Sequence, residues 1–333
     1  MAASDLQSFT ERPIPQDCIA SFQTELLGEE FQGTPKKIYF INNKLWIRLV
    51  NGYSGHFVTL DIDTQDGDNP SVLTRIRLRK LHKHDNGETS QSRKGYSVEA
   101  VAETSSGDIV VTCEVSNNGS ASSSDGNDGE ASEYISLREI APDGRVHVNF
   151  KGNFSDVCSH GDTIFALKKK PPAGEDATIN VYYKEEVIGP NDLTVREWGQ
   201  KPRSVINTHR FASSFIVSSN HLIATYGNDR SLLRHNRDQA TGVFSTHTAI
   251  ADSAKSWLCA TDEQGSVLVL TKNDDRSTLR VLDHETYSFR PLNVTDGPES
   301  MTMKHATMDH NGHVYILYCG ENAWAVYKAK KPE

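Results

Sequence analysis

A chain of 333 residues with 36% hydrophobic residues and a mean hydropathy of −0.53 is polar on average, yet long enough to bury a sizeable core. Its apolar runs last only a few residues, which excludes a membrane-spanning helix, and its formal net charge of −9 opposes nucleic acid and anionic membrane on average. Five dispersed cysteines (Cys18, Cys113, Cys158, Cys259, Cys319) with no CxxC pair exclude a zinc framework and read as buried free thiols of a reducing compartment.

The start, Met1-Ala2-Ala3-Ser4-Asp5, lacks a basic region followed by an apolar stretch, so no secretory signal is expected and the cytoplasm is the expected compartment. Residues 1–17 read as an N-terminal tail and residues 18–333 as a single domain. The stretch Cys18 to Leu27 partly alternates like a strand, while Ser21 to Glu30 also reads as a short helix. From there a phrase repeats: a short apolar run, a turn on Gly or Asn, then a β-rich run. Its pivots are Asn43, Gly107, Gly161, Asn220, Gly265 and Gly312. The last intervals match the roughly 40–50 residues of a four-stranded propeller blade, and the earlier ones exceed it by visible insertions.

Those insertions are polar. Blade 1 carries Thr64–Pro70 and His82–Lys94, and blade 3 carries Lys168–Asp176. Blade 2 carries Ser116–Ser132, a Ser/Gly/Asn/Asp tract that reads as a disordered loop at about 116–132. Strands just after the pivots are continuous apolar runs, such as Ile109-Val110-Val111 and Val267-Leu268-Val269-Leu270, as expected of strands buried on both faces. Later ones alternate, such as Leu279-Arg280-Val281-Leu282-Asp283. Six repeats predict an all-β, six-bladed β-propeller. The last repeat runs out one strand short after Trp324-Ala325-Val326-Tyr327, so Cys18–Leu27 is expected to close the ring as its outer strand and remove an open edge.

Two repeats, Asp262-Glu263-Gln264-Gly265-Ser266-Val267-Leu268-Val269 and Asp309-His310-Asn311-Gly312-His313-Val314-Tyr315-Ile316, carry an Asp-x-x-Gly turn and an apolar strand. With Leu279–Asp283 as a closing strand, they resemble NHL-type six-bladed propellers, such as those at the C-terminus of tripartite-motif proteins. The family's Asp and Arg after the apolar strand are absent from Tyr318-Cys319-Gly320-Glu321-Asn322, and the first four repeats are degenerate. The resemblance implies a propeller that binds a protein partner. Because no RING, B-box or coiled coil accompanies it, ubiquitin-ligase chemistry is not implied.

No catalytic constellation is legible. Gly52-Tyr53-Ser54-Gly55 is out of frame for a nucleophile elbow. His82-Lys83-His84 and His310-Asn311-Gly312-His313 lie in a polar insertion and across a turn, where they read as solvated histidines, and no metal or cofactor is expected. A metal-dependent hydrolase or lactonase of the same fold is the alternative, and it would need Asp156, Asn207 and Glu99 to converge on the axis. Arg75-Ile76-Arg77-Leu78-Arg79 puts three guanidiniums on one strand face, read as a solvent-facing outer edge, and Lys168-Lys169-Lys170 reads as a solvated loop.

In a propeller, residues just before each innermost strand share a face with those between its second and third strands. That rule places Lys37, Tyr96, Asp156, His209, Trp257 and Lys304 in one ring, and Tyr53, Arg230, Arg276 and Asn322 in a wider one. Aromatic and basic residues at such places are the stuff of interface hot spots, with Trp257 and Lys304 foremost. The expectation is a monomeric, non-catalytic interaction module with a protein partner. RNA binding is a further alternative that the net charge disfavours.

Overall fold

The computed structural model describes residues 13–28, 31–52, 54–62, 73–76, 81–83, 89–91, 96–115, 135–140, 146–150, 154–168, 175–188, 194–199, 201–228, 230–251, 254–273, 276–295 and 297–329. The tract 116–132 and Tyr53 lie outside these residues, as do most of the blade 1 insertions and the side chains of Arg75 and Tyr96.

The apolar run after each pivot forms the second strand of a sheet. Blade 1 is Thr34–Ile41, Lys44–Asn51, Ser54–Asp61 and Leu73–Ile76; blade 2 is Tyr96–Glu103, Ile109–Val115, Ile135–Ile140 and Val146–Phe150. Blade 4 is Ala212–Val217, His221–Tyr226, Ser231–Asn236 and Thr248–Ile250; blade 5 is Lys255–Thr261, Val267–Asn273, Arg276–Leu282 and Phe289–Leu292. Blade 6 is Thr302–Met308, Val314–Cys319 and Ala323–Ala329, completed by the N-terminal strand Gln16–Gln23. These five sheets are four-stranded. Blade 3 departs from them: Phe154–His160 and Thr163–Lys168 lead to a long strand, Ala177–Ile188, which pairs with both Thr194–Trp198 and Ser204–Thr208 in a five-stranded sheet. A separate hairpin, Leu81–Lys83 with Thr89–Gln91, stands within the blade 1 insertion. Innermost strands contact their neighbours in order, and the last returns to the first, so the sheets form a closed β-propeller.

Closure follows the expected strategy with shifted bounds. The N-terminal strand begins at Gln16, earlier than the expected Cys18, and runs antiparallel to Ala323–Ala329. It ends at Gln23 in a 3-10 turn, Thr24–Leu26, which takes up the region that also read as a helix. Ile14, assigned from sequence to a tail, is buried and bridges Val294. No helix among the described residues is long and apolar enough to cross a membrane.

The core is divided between blades, which explains the continuous apolar runs. Val267 and Val269 pack toward blade 4, with Ile223 and Leu232, whereas Leu268 and Leu270 pack toward blade 6, with Val314 and Ile316. The next such strand repeats the pattern, because Tyr315 and Leu317 face blade 1, with Leu45 and Ile47. Alternation persists, but both faces are interior.

The pivots are tight turns. Asn43, Gly107, Gly161, Gly265 and Gly312 have positive φ, the left-handed region in which Gly and Asn are least strained. At Gly265, Asp262 Oδ1 accepts the N–H groups of Gly265 and Ser266, each at 2.8 Å. Asp309 Oδ1 accepts those of Asn311 and His313, each at 2.9 Å. In the degenerate repeats a hydroxyl does this work: Thr104 Oγ1 accepts Asp108 N–H at 3.2 Å, and Ser218 Oγ accepts His221 N–H at 3.3 Å.

A register irregularity interrupts each innermost strand, at Lys36, Glu99, Ser155, Ser213, Cys259 and Lys304. Such bulges bend a strand and re-aim its side chains. Glu99 thereby meets Arg48 of blade 1: Arg48 Nη2 lies 2.6 Å from Glu99 Oε2, and Arg48 Nε donates to Val98 O at 2.8 Å.

Candidate functional site at the channel mouth

Among the described residues, one ion pair crosses the channel. Lys37, on the innermost strand of blade 1, reaches Asp156, on that of blade 3, with Nζ 3.6 Å from Oδ1. Blade 4 braces the carboxylate, since Phe215 N–H donates to Asp156 Oδ2 at 3.2 Å. Burial pulls the Lys37 ammonium down, but the Asp156 carboxylate and the Tyr39 hydroxyl oppose it and leave the net shift upward. Lys37 therefore stays charged in a poorly solvated place because its counter-charge is built in.

On the side where the innermost strands begin, a cavity of about 420 Å³ opens. Its charged lining is Lys36, Lys37, Arg48, Arg230, Lys272 and Lys304, together with Trp257 and His305, and among the described residues no carboxylate lines it. These residues come from blades 4, 5, 6 and 1, so the basic arc covers one side of the ring. Bulges at Lys36 and Lys304 contribute two of the cations. Arg230 sits in the turn between the second and third strands of blade 4, with φ 54°. A non-glycine residue in that region costs on the order of 1 kcal/mol or more and concentrates where function demands it. Its guanidinium lies over the Trp257 ring, 5.0 Å from the centroid, while Trp257 also packs on the core between blades 5 and 6. Burial lowers the Arg230 pKa, and Asp156 opposes that shift.

Beyond the ion pair the channel widens into a second cavity of about 430 Å³ that shares Lys37 and His305 with the mouth. Its thiols are inert: burial pushes Cys158 to about 12 and Cys259 to about 11. Cys158, Cys259 and Cys319 are free and at least half-buried, as expected, but Cys18 is exposed.

Of the residues singled out by position, the fold gathers Lys37, Arg230, Trp257 and Lys304 at one mouth, with Asp156 held by Lys37. His209 belongs elsewhere, in an aromatic group with Phe211, Tyr226 and His247. Arg276 lines a different cavity, against blade 5, and Asn322 accepts the Thr24 N–H near the closing strand. Tyr96 pairs with Val115 at the start of blade 2. The rule missed Lys36, Arg48, Lys272 and His305. The doublet Lys36-Lys37 was a signal for the first.

The residues of the hydrolase alternative do not converge. Asp156 pairs with Lys37, Glu99 with Arg48, and Asn207 lies on the fifth strand of blade 3. The turn histidines are also accounted for, since His313 Nδ1 lies 2.9 Å from Asp309 Oδ2 and His310 packs edge-on against Phe40.

No protein-family model matches the chain, and no curated protein matches it. Among solved structures it is similar to a protein of unknown function from Dyadobacter fermentans, at 10% identity over 95% of this chain and 99% of that one, with a TM-score of 0.52. The soluble aldose sugar dehydrogenase of Escherichia coli, in its apo form, gives 10% identity, 95% and 99% coverage, and a TM-score of 0.50. The β-propeller domain of the Trilobed protease of Pyrococcus furiosus, described as having an open velcro topology, gives 10% identity, 90% and 81% coverage, and 0.49. Likeness at such identities shows the fold alone, and no neighbour's activity is carried over.

Proposed function

We propose that the chain is a non-catalytic interaction module that captures an acidic segment of a protein partner at the basic mouth of its channel. The observation that carries this reading is the convergence of Lys36, Arg230, Lys272 and Lys304 around Trp257, with no carboxylate among the described residues of the lining, on a chain of net charge −9. A local potential opposite in sign to the whole molecule selects anionic partners and steers them to one place. Trp and Arg, paired here, are the residues most often found to dominate interface energetics. An NHL-like propeller working as a monomer in the cytoplasm fits the Asp-x-x-Gly turns and the expected free thiols.

The test is fluorescence anisotropy with a labelled hexaglutamate peptide. Binding should weaken steeply with salt. The Lys36→Gln, Lys304→Gln double variant, which leaves Trp257 on the core, should bind at least about tenfold more weakly while melting like the parent. Unchanged affinity in that variant would overturn the reading.

A further inference from the structure

We infer that the group the mouth recognises is a phosphoryl monoester carried on the partner's acidic segment. This rests on the interaction-module reading and sharpens it. Two of the six cations are already neutralised inside the molecule, Lys37 by Asp156 and Arg48 by Glu99. Among the described residues, no carboxylate lies within ion-pair distance of Lys36, Arg230, Lys272 or Lys304. Four cations that no described carboxylate pairs, of which Arg230 feels Asp156 beyond ion-pair distance, exceed what a single carboxylate, with one charge and two oxygens, can answer. A phosphoryl monoester brings a charge of about −1.5 to −2 and three strong acceptor oxygens.

The donors also suit phosphate geometrically. Arg230 is held by its left-handed backbone and by the Trp257 ring, so its planar fork is pre-oriented for two parallel hydrogen bonds. Lys36 and Lys304 project from bulges on adjacent innermost strands, and Lys272 ends the second strand of blade 5. Beneath them lies His305, 3% exposed, which lines both this cavity and the one beyond the ion pair. The space, about 420 Å³, admits a phosphorylated side chain but not a folded element. Exposed Lys36, Lys272, Thr302 and Lys304 at its edge leave room for the flanking chain.

Two labelled peptides and one unlabelled competitor separate the outcomes: an acidic peptide bearing one phosphothreonine, the same peptide with glutamate at that position, and free O-phosphothreonine as the competitor. The phosphopeptide should bind at least tenfold more tightly than the glutamate peptide. Arg230→Lys, which keeps the charge and loses the fork, should erase most of that preference, as should Lys304→Gln, with the melting midpoint confirming the fold of each. Equal binding of the two peptides would overturn the phosphoryl inference and leave the acidic-segment reading standing. No binding of either would overturn both. Free O-phosphothreonine competing as strongly as the phosphopeptide would overturn the partner segment in favour of a small phosphorylated ligand.

Discussion

His305 shows how one side chain can couple a propeller to pH. It lies on the innermost strand of blade 6, nearly inaccessible, and burial, reinforced by the Lys37 charge, pulls its pKa down from 6.5 to about 3. His221, buried in blade 4 beside His284, is lowered to about 4, again chiefly by burial. Below pH 6.5 the unfolded chain binds protons at these rings that the folded chain refuses. Stability is therefore whole above that pH and is lost as pH falls toward 4 and then 3, by about 1.4 kcal/mol per ring for each pH unit. The melting midpoint should accordingly drop steeply between pH 6.5 and 4, and His305→Gln should flatten the drop relative to the parent. An identical pH profile for the two proteins would mean that His305 is not held neutral. None of this is legible in the sequence, because no residue type around His305 marks it as the buried neighbour of an exposed Lys304. The bulge that turns Lys304 outward and leaves His305 buried has no signature in residue type.

Among the elements, turns were readable and bulges were not, for a physical reason. A turn demands a left-handed residue and a side-chain acceptor, and few residue types meet both demands, so Asp262, Gly265, Asp309 and Gly312 announce themselves. The degenerate repeats substitute Thr104 and Ser218 for Asp and keep the geometry, although Asn220, a correct pivot, needs no positive φ. Asp309 does the most: besides two backbone N–H groups, its Oδ2 accepts from the Tyr315 hydroxyl at 3.1 Å and pairs with His313 Nδ1. Hydrogen bonds to a charged group contribute about 1.5–3 kcal/mol each in net terms, and they are not additive. Asp309→Ala should therefore lower stability by about 2–4 kcal/mol in denaturant titration, and Asp309→Asn, which keeps one acceptor, by distinctly less. If Ala and Asn prove equally mild, the turn is held by its backbone alone. The positional rule expected Lys37, Trp257 and Lys304 just before the innermost strands, whereas they lie within them, near their first residues, where the fold brings them beside Arg230 at one mouth. Lys272 lies outside the rule because it is the penultimate residue of a second strand, a position the rule does not cover.

Across the whole molecule, the closing strand decides whether a ring of sheets is one cooperative object. Its register with Ala323–Ala329 gives blade 6 its fourth strand, and Phe22 packs on the buried Trp324 with ring centroids 4.4 Å apart. Ile14 enters the core between blades 5 and 6, and Gln16 Nε2 donates to Thr295 O at 2.7 Å. The start of the described chain is thus fastened to its end by backbone, apolar and polar contacts together. This was legible because the last repeat lacked a strand and an alternating stretch stood ahead of the first, although the fastening reaches back to Ile14, where the sequence reads as tail. Removing residues up to Gln23 should leave Ala323–Ala329 as an unpaired edge with Trp324 uncovered, and such edges template association. The truncated chain should melt well below the parent and aggregate at its transition. Trp324→Ala, which leaves the strand but hollows its anchor, should cost about 3–5 kcal/mol without aggregation at room temperature. A synthetic peptide spanning residues 13–28, added to the truncated chain, should raise the midpoint in proportion to the logarithm of its concentration once above Kd, since it binds only the folded ring. A truncated chain that melts like the parent, or one that the peptide leaves unchanged, would mean that blades 1 to 6 close without this strand.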